Sequence, residues 1–96
     1  MAATITIIDQ IEKTVDGNYE DWQIGLTDNS ALRKSQMGNP LSWLQWQADS
    51  HDEAFKIVEH FLKKGMGDAG GDKSLGDFVY ILLIDKPALK NVTFVF

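Results

Sequence analysis

The side chains most able to form a functional site are an arginine and a glutamate that lie far apart in the sequence. Arg33 is the only arginine, and it follows a strand-like segment that contains Gly25. Glu59 is a carboxylate set among the hydrophobic residues of the segment EAFKIVEHFL. A glycine weakens a strand, so Gly25 marks a bulge or the close approach of another group, or is a plain edge-strand glycine. The pair can act together only if the fold brings both side chains to one groove.

Other familiar chemistries find little support in the sequence. A nucleophilic triad needs a serine or cysteine activated by a positioned histidine, and the chain has no cysteine. His51 lies at a predicted helix start and His60 lies beside an apolar stripe, so we interpret both as surface side chains. No metal-binding spacing of the HExxH type occurs. Residues 65–77 are rich in glycine, but they lack the ending and the strand-to-helix context of a phosphate-binding loop.

Composition indicates one folded domain over residues 1–96 and argues against several classes of protein. Apolar residues make up 44% of the chain, which is enough for a hydrophobic core. The formal charge of −5 and the scattered basic residues count against nucleic acid as a partner. No apolar run approaches the roughly 20 residues that span a bilayer, so no membrane partner is expected. The lack of cysteine and of a signal-peptide pattern favours a cytoplasmic location.

The first half of the chain predicts two strands followed by a short helix. The β-branched run TITII, residues 4–8, predicts a strand, whereas residues 9–15 fit a helix, a turn or a continuing strand. The Asp-Gly-Asn sequence at 16–18 predicts a turn, because glycine and asparagine tolerate positive φ. A second strand is expected within residues 19–27. A helix should then run over residues 30–37, since good N-cap residues precede it and a glycine and a proline follow it.

The strand within residues 19–27 should have two different faces, because successive side chains of a strand alternate. One face carries large apolar side chains, namely Trp22, Ile24 and Leu26. The other face carries small or polar residues, namely Gln23, Gly25 and Thr27. The first face therefore belongs to the core, and the second suits a groove or solvent.

The second half predicts a strand over residues 41–48 and the best helix of the chain from Ser50 onwards. Trp43 and Trp46 cannot point to the same face of a regular strand, so one packs in the core and the other covers a sheet edge or a helix. Ser50 and Glu53 match the capping box that begins many helices. The helix should end at Gly65, which opens the glycine-rich loop of residues 65–77.

Two more strands complete the prediction. The run FVYILLI, residues 78–84, is the strongest strand signal and is expected at the centre of the sheet. Residues 92–96 predict a returning partner strand. The order of elements is therefore strand, strand, helix, strand, helix, strand, strand. This order predicts an α+β fold, with a small mixed or antiparallel sheet and two main helices packed on it.

The segment WQIGLT, with Arg33 eight residues after Gly25, resembles the second half of the GIY-YIG nuclease motif. In that family, a Tyr-Ile-Gly strand leads into a helix that carries an arginine at this spacing. The segment EAFKIVE, which ends in Glu59, resembles the later helix that supplies the metal-binding glutamate. The resemblance covers residues 4–65 and implies the same layout of a hairpin, a helix, a strand and a helix.

The resemblance also implies roles for individual residues. Arg33 would steady phosphate charge, and Glu59 would hold one divalent cation, usually magnesium. The two tyrosines at the sheet centre that help to activate water in the family are not matched, because Gln23 stands where one is expected. Glutamine cannot act as a general base. Tyr19 is the candidate substitute by position, and the run TITII has neither the glycine nor the tyrosine of the first motif.

Two functional hypotheses follow from this mixture of agreement and departure. The first is a GIY-YIG-like domain of a bacterium or phage that has lost catalysis and acts as a small binding or accessory module. It would have no cofactor and would bind a protein partner, with Trp43 or Trp46 as part of the surface if exposed. The second is a DNA endonuclease that depends on Mg²⁺ held by Glu59. A third interpretation is a plain structural domain in which the motif match is accidental.

Overall fold

The computed structural model describes residues 3–71 and 73–84. Its helices are α1 (Thr4–Val15), α2 (Ser30–Gln36) and α3 (His51–Lys64), and a short 3₁₀ turn lies at Tyr19–Asp21. Its strands are β1 (Trp22–Thr27), β2 (Leu44–Gln47), β3 (Gly67–Asp68) and β4 (Phe78–Leu83). These elements confirm an α+β fold with a small mixed sheet. The strand predicted over residues 92–96 lies outside the described residues.

The sheet has the strand order β2-β4-β1-β3. Strand β4 is antiparallel to both β2 and β1, and the two-residue β3 is parallel to β1. The prediction that residues 78–84 form a central strand is confirmed, because β4 is bonded on both sides. Strand β1 is also internal, so Gly25 does not lie in an edge strand.

The prediction of a strand at residues 4–8 is wrong, because these residues begin α1. Ile7, Ile11 and Val15 recur every four residues and are all buried. They pack together with the apolar side of α3 and with one face of the sheet. Tertiary burial of a helical stripe thus overrides the strand preference of the β-branched residues. The helix ends at Val15, and its C-cap Asp16 adopts positive φ as the first residue of the predicted turn.

The first face of the sheet, defined as the one that α1 and α3 cover, carries the main core. Ile24 and Leu26 of β1 lie beside Val79 and Ile81 of β4 on this face, and all four are buried. Helix α3 adds its own apolar stripe, and Trp46 packs at the border of the cluster. The predicted core side of β1 is therefore confirmed.

The second face of the sheet carries a smaller cluster around Tyr80 and Trp43. The two rings are stacked with centroids 4.3 Å apart, and Leu82 is buried beside them. Trp43 and Trp46 thus contact opposite faces, as their spacing predicts. Trp46 donates its indole N–H to Gln10 of α1, so it lies against a helix.

Helix α3 begins after the predicted N-cap residue, Ser50, and ends at the predicted glycine, Gly65. The Ser50 hydroxyl accepts a hydrogen bond from the Glu53 N–H, which satisfies one free donor of the first turn. Gly65 has a φ of 109° and closes the helix in the left-handed conformation. None of the helices in residues 3–71 and 73–84 has both the length and the apolar character that a membrane span requires.

Candidate functional site

Arg33 lies on α2 and reaches across to the second face of the sheet. Its Nε donates to the Tyr80 hydroxyl at 2.9 Å, and its Nη2 donates to the Ala69 carbonyl at 3.0 Å. Its Nη1 lies 3.4 Å from the Gln36 side-chain oxygen. Helix α2 holds Arg33 at this point because Asn29 caps the helix by accepting the Leu32 N–H. The guanidinium is therefore fixed in position by neutral oxygen atoms.

Gly25 makes the contact between Arg33 and Tyr80 geometrically feasible. Tyr80 is opposite Gly25 in the β1–β4 register and lies over it. A Cβ atom at position 25 would lie 2.3 Å from both the Cζ and the hydroxyl oxygen of Tyr80. Real Cβ atoms do not approach other atoms so closely. Of the three alternatives for Gly25, the close approach of another group is therefore confirmed.

A cavity of about 210 Å³ lies between α2 and the glycine-rich loop of residues 65–77, and Arg33 forms part of its wall. We call this space the Arg33 cavity. Two leucines, Leu32 and Leu75, line it and are 55% and 60% exposed. Its polar lining comes from Thr27, Asp28, Asn29 and Gln36. The cavity therefore combines one fixed cation, an apolar rim and several hydrogen-bonding groups.

The glycine-rich loop closes over the guanidinium because it has no side chain at Gly71. This residue has a φ of 84°, and a Cβ atom there would lie 3.1 Å from Arg33 Nη2. The loop is tied down at its far end by His51, whose Nδ1 lies 2.7 Å from the Gly76 carbonyl oxygen. Gly76 packs so closely on the Thr27 backbone that a Cβ atom would lie 2.3 Å from it. The wall of the Arg33 cavity is therefore anchored on both α3 and β1.

The other end of the loop is closed by an ion pair. Asp68 Oδ1 accepts hydrogen bonds from Lys73 Nζ at 2.6 Å and from the Gly70 N–H at 2.8 Å. These contacts hold the pKa of Asp68 below its ordinary value of 3.8, with the hydrogen bond from Lys73 as the largest cause. The Asp68 carboxylate therefore favours the folded loop whenever it is ionised.

We expect Asp68→Asn to lower the free energy of unfolding at neutral pH by less than about 1 kcal/mol, because the Asp68 side chain is 53% exposed and solvent screens its charge. The folded-state pKa is lowered, so this contribution is present above the unfolded pKa and is lost as the pH falls through the folded pKa. The free energies of unfolding of the wild type and the variant should therefore converge in acid, at pH values below the ordinary Asp pKa of 3.8. Urea denaturation across this pH range measures the difference. In a Lys73→Gln background, Asp68→Asn should cost less, and an undiminished cost would contradict this account.

Glu59 lies away from Arg33. It is an exposed residue of α3, among Lys56, His60 and Lys63 on the outer side of that helix. Helix α3 packs on the first face of the sheet, whereas Arg33 contacts Tyr80 on the second. The expectation that the fold brings the Arg33 and Glu59 side chains to one groove is therefore wrong. Glu59 follows the buried Val58 by one residue, which turns its side chain out of the apolar stripe.

The other two predicted site residues, Gln23 and Tyr19, lie on different faces of the sheet. Gln23 lies two residues before Gly25 in β1, so its side chain is on the second face. Tyr19 packs against the core cluster of the first face, with its ring centroid 6.3 Å from that of Phe61. Tyr19 therefore cannot serve as the tyrosine beside Arg33. Within residues 3–71 and 73–84, no group of three His, Asp or Glu side chains is placed to hold a metal ion.

The residue that sequence reasoning missed is Tyr80. It lies in the apolar run FVYILLI, where its hydroxyl is the only polar side-chain group. A buried tyrosine hydroxyl usually has a hydrogen-bond partner, and Arg33 supplies one. Two features of the sequence could have indicated Tyr80. One is its single hydroxyl in a predicted central strand, and the other is Gly25, a glycine without an evident role in the strand within residues 19–27.

Comparison with protein-family models, with curated proteins and with solved structures gave no match to this chain. Function is therefore inferred from the geometry of the Arg33 cavity and its surroundings.

Proposed function

We propose that this chain is a small non-catalytic binding module that recognises a protein partner through the Arg33 cavity. One observation carries the proposal. The Arg33 guanidinium is fixed at the cavity wall by three neutral acceptors, and no carboxylate of the described residues lies within 4.0 Å of it. A cation held in this way is prepared to receive an acceptor from outside the chain.

The exposed leucines support a protein as the bound partner. Leu32 and Leu75 lie at the Arg33 cavity and remain largely exposed. Interfaces between proteins combine apolar contacts with a few well-placed polar groups, and arginine is enriched in them. Nucleic acid is the weaker candidate, because the chain carries a formal charge of −5 and the cavity has only one cationic side chain in its described lining.

The alternative is the magnesium-dependent DNA endonuclease implied by the resemblance to GIY-YIG nucleases. The contact between Arg33 and a tyrosine at the sheet centre favours it. Two features count against it. Tyr80 is fully buried under Trp43, so its hydroxyl cannot meet a substrate or a water molecule at the surface. Glu59, the residue assigned to the metal, lies on the opposite face of the sheet.

A distant relationship to the GIY-YIG nucleases is part of this proposal. The order β1, α2, β2, α3 supports it, since Gly25 and Arg33 keep their places on the first strand and helix of that series. The helical α1 differs from the strand that the family layout implies. This relationship predicts that a nuclease of the family binds its substrate on the face of the sheet that corresponds to the Arg33 side of this chain.

The proposed function predicts that the chain selects specific peptides and does not cut DNA. A random peptide library, presented both internally and with free C-termini, should yield an enriched family on the wild-type chain. Enrichment should disappear with Leu75→Glu, which places a charge at the rim of the Arg33 cavity. It should survive Leu41→Glu, because Leu41 is equally apolar, fully exposed and outside the cavity lining.

Cleavage assays form the second half of this experiment. Linear, supercoiled and branched DNA should remain intact in the presence of Mg²⁺. If cleavage appeared and Glu59→Gln or Arg33→Lys abolished it, the endonuclease would replace the binding module as the function. A library that yielded no enriched peptide on the folded wild-type chain would also overturn the proposal.

A further inference from the structure

We infer that the Arg33 cavity binds the C-terminal carboxylate of a partner protein whose last residue has an aliphatic side chain. This inference rests on the proposed function and specifies the ligand of the same site. It is carried by three properties of the cavity: the fixed guanidinium, the size of the space, and the arrangement of apolar and polar groups around it.

The guanidinium has donors left for an anion. Arginine carries five N–H groups, and the contacts with Tyr80, Ala69 and Gln36 use three of them. The two that remain belong to Nη1 and Nη2, the terminal nitrogens that bind the two oxygens of a carboxylate side by side. Lys34, the next residue of α2, does not line the cavity, so the cationic contact at this point comes from Arg33.

The size of the cavity suits one residue of a chain. Its volume of about 210 Å³ lies below the roughly 300–1,000 Å³ that is usual for cofactor and drug-sized ligands. An aliphatic side chain placed between Leu32 and Leu75 would remove apolar surface of both leucines from water.

The polar lining explains why a chain terminus fits better than a free anion. Asp28 and Asn29 line the same cavity, and Asp28 makes no ion pair with Arg33. A carboxylate without any donor would meet the repulsion of Asp28. The last peptide group of a chain has an N–H donor next to its carboxylate, and the Asp28 carboxylate can accept a hydrogen bond from that donor.

A titration with short blocked peptides tests the inference. N-acetylglycyl-leucine should shift the backbone amide signals of Gly70 and Gly71 and the Nε–H signal of Arg33 in the ¹⁵N-labelled full chain. A probe this small should saturate with a Kd on the order of millimolar. The C-terminal amide of the same peptide should bind at least about tenfold more weakly, as expected for the loss of a charge-assisted hydrogen bond.

Variants and a second probe complete the experiment. Arg33→Gln and Leu75→Glu should each abolish binding of the acid, and Leu75→Glu keeps the Arg33 contacts intact. Lys34→Gln removes a neighbouring charge and should leave the Kd within about twofold, as expected for a surface charge with no direct contact. Equal binding of acid and amide, or equal losses in Lys34→Gln and Arg33→Gln, would overturn the inference.

Free leucine distinguishes a chain terminus from a free amino acid. If leucine bound more tightly than N-acetylglycyl-leucine, the ligand would be a zwitterionic small molecule and the inference would be wrong. A library that enriched peptides without a free C-terminus would also overturn it, yet would leave the binding module in place. The two proposals can therefore fail separately.

Discussion

Gly25→Ala should destabilise the fold by about 3 kcal/mol or more, although it adds only one methyl group. The added carbon would lie 2.3 Å from the Tyr80 ring, and Tyr80 is held from above by Trp43. Neither ring can move without opening the second face of the sheet or breaking the hydrogen bond to Arg33. Urea denaturation followed by far-ultraviolet circular dichroism measures the loss of stability.

A double-mutant cycle identifies the cause of this loss. In a Tyr80→Val background the side chain over position 25 is smaller, so Gly25→Ala should cost much less than in the wild type. Gly17→Ala is a contrasting substitution, because Gly17 has nothing within 4 Å and its φ of 79° is the only source of strain. Its cost should be about 1 kcal/mol. An equal cost for Gly25→Ala in both backgrounds would show that Tyr80 is not the obstacle.

The second large effect is expected for Trp43→Ala, at about 3–5 kcal/mol. Trp43 is only 8% exposed, and its ring covers Tyr80 at a centroid distance of 4.3 Å. Its removal would leave a cavity over a tyrosine that is otherwise fully buried. The same denaturation measurement applies, with signals from Trp22 and Trp46 still available for fluorescence.

Trp43→Phe separates the stacked ring from the indole N–H. Phenylalanine retains a ring that can stack on Tyr80 but loses the hydrogen bond from the indole nitrogen to Gln45, which is 2.7 Å long. This variant should lose only about 1–2 kcal/mol. If Trp43→Ala cost no more stability than Trp43→Phe, the cluster on the second face would not stabilise the fold. Arg33 would then be held in position by α2 and Ala69 alone.

The sequence predicted well those elements whose signals are local. Helix α3 has its capping residue, its apolar stripe and its terminal glycine within one segment, and the structure confirms all three. Strand β1 alternates apolar and polar residues, and its core side is the predicted one. Residues 4–8 of α1 were predicted as a strand because TITII has a strong strand preference. A helix was one of the options for residues 9–15, and the stripe that decides the issue extends to Val15, beyond the run itself.

The site was harder to predict because its contacts join distant parts of the chain. Arg33 was chosen as a candidate site residue from its place after the strand that contains Gly25 and from the motif resemblance, and the structure gives it three specific contacts. Nothing local reveals that Tyr80 and Ala69 provide two of them. The proximity of Arg33 and Glu59 was inferred from a resemblance, and a resemblance in sequence order does not fix which face of a sheet a helix side chain meets.

The position of β4 also affects how the molecule folds. This strand is the last described element of the chain, yet it lies between β1 and β2 and holds them together. During synthesis the helices can form early. The sheet, however, lacks its central strand β4 until residue 83 has left the ribosome. Until then β1 and β2 each lack the neighbour that β4 supplies, so a nascent chain stalled before β4 exposes strand edges that can pair with another chain.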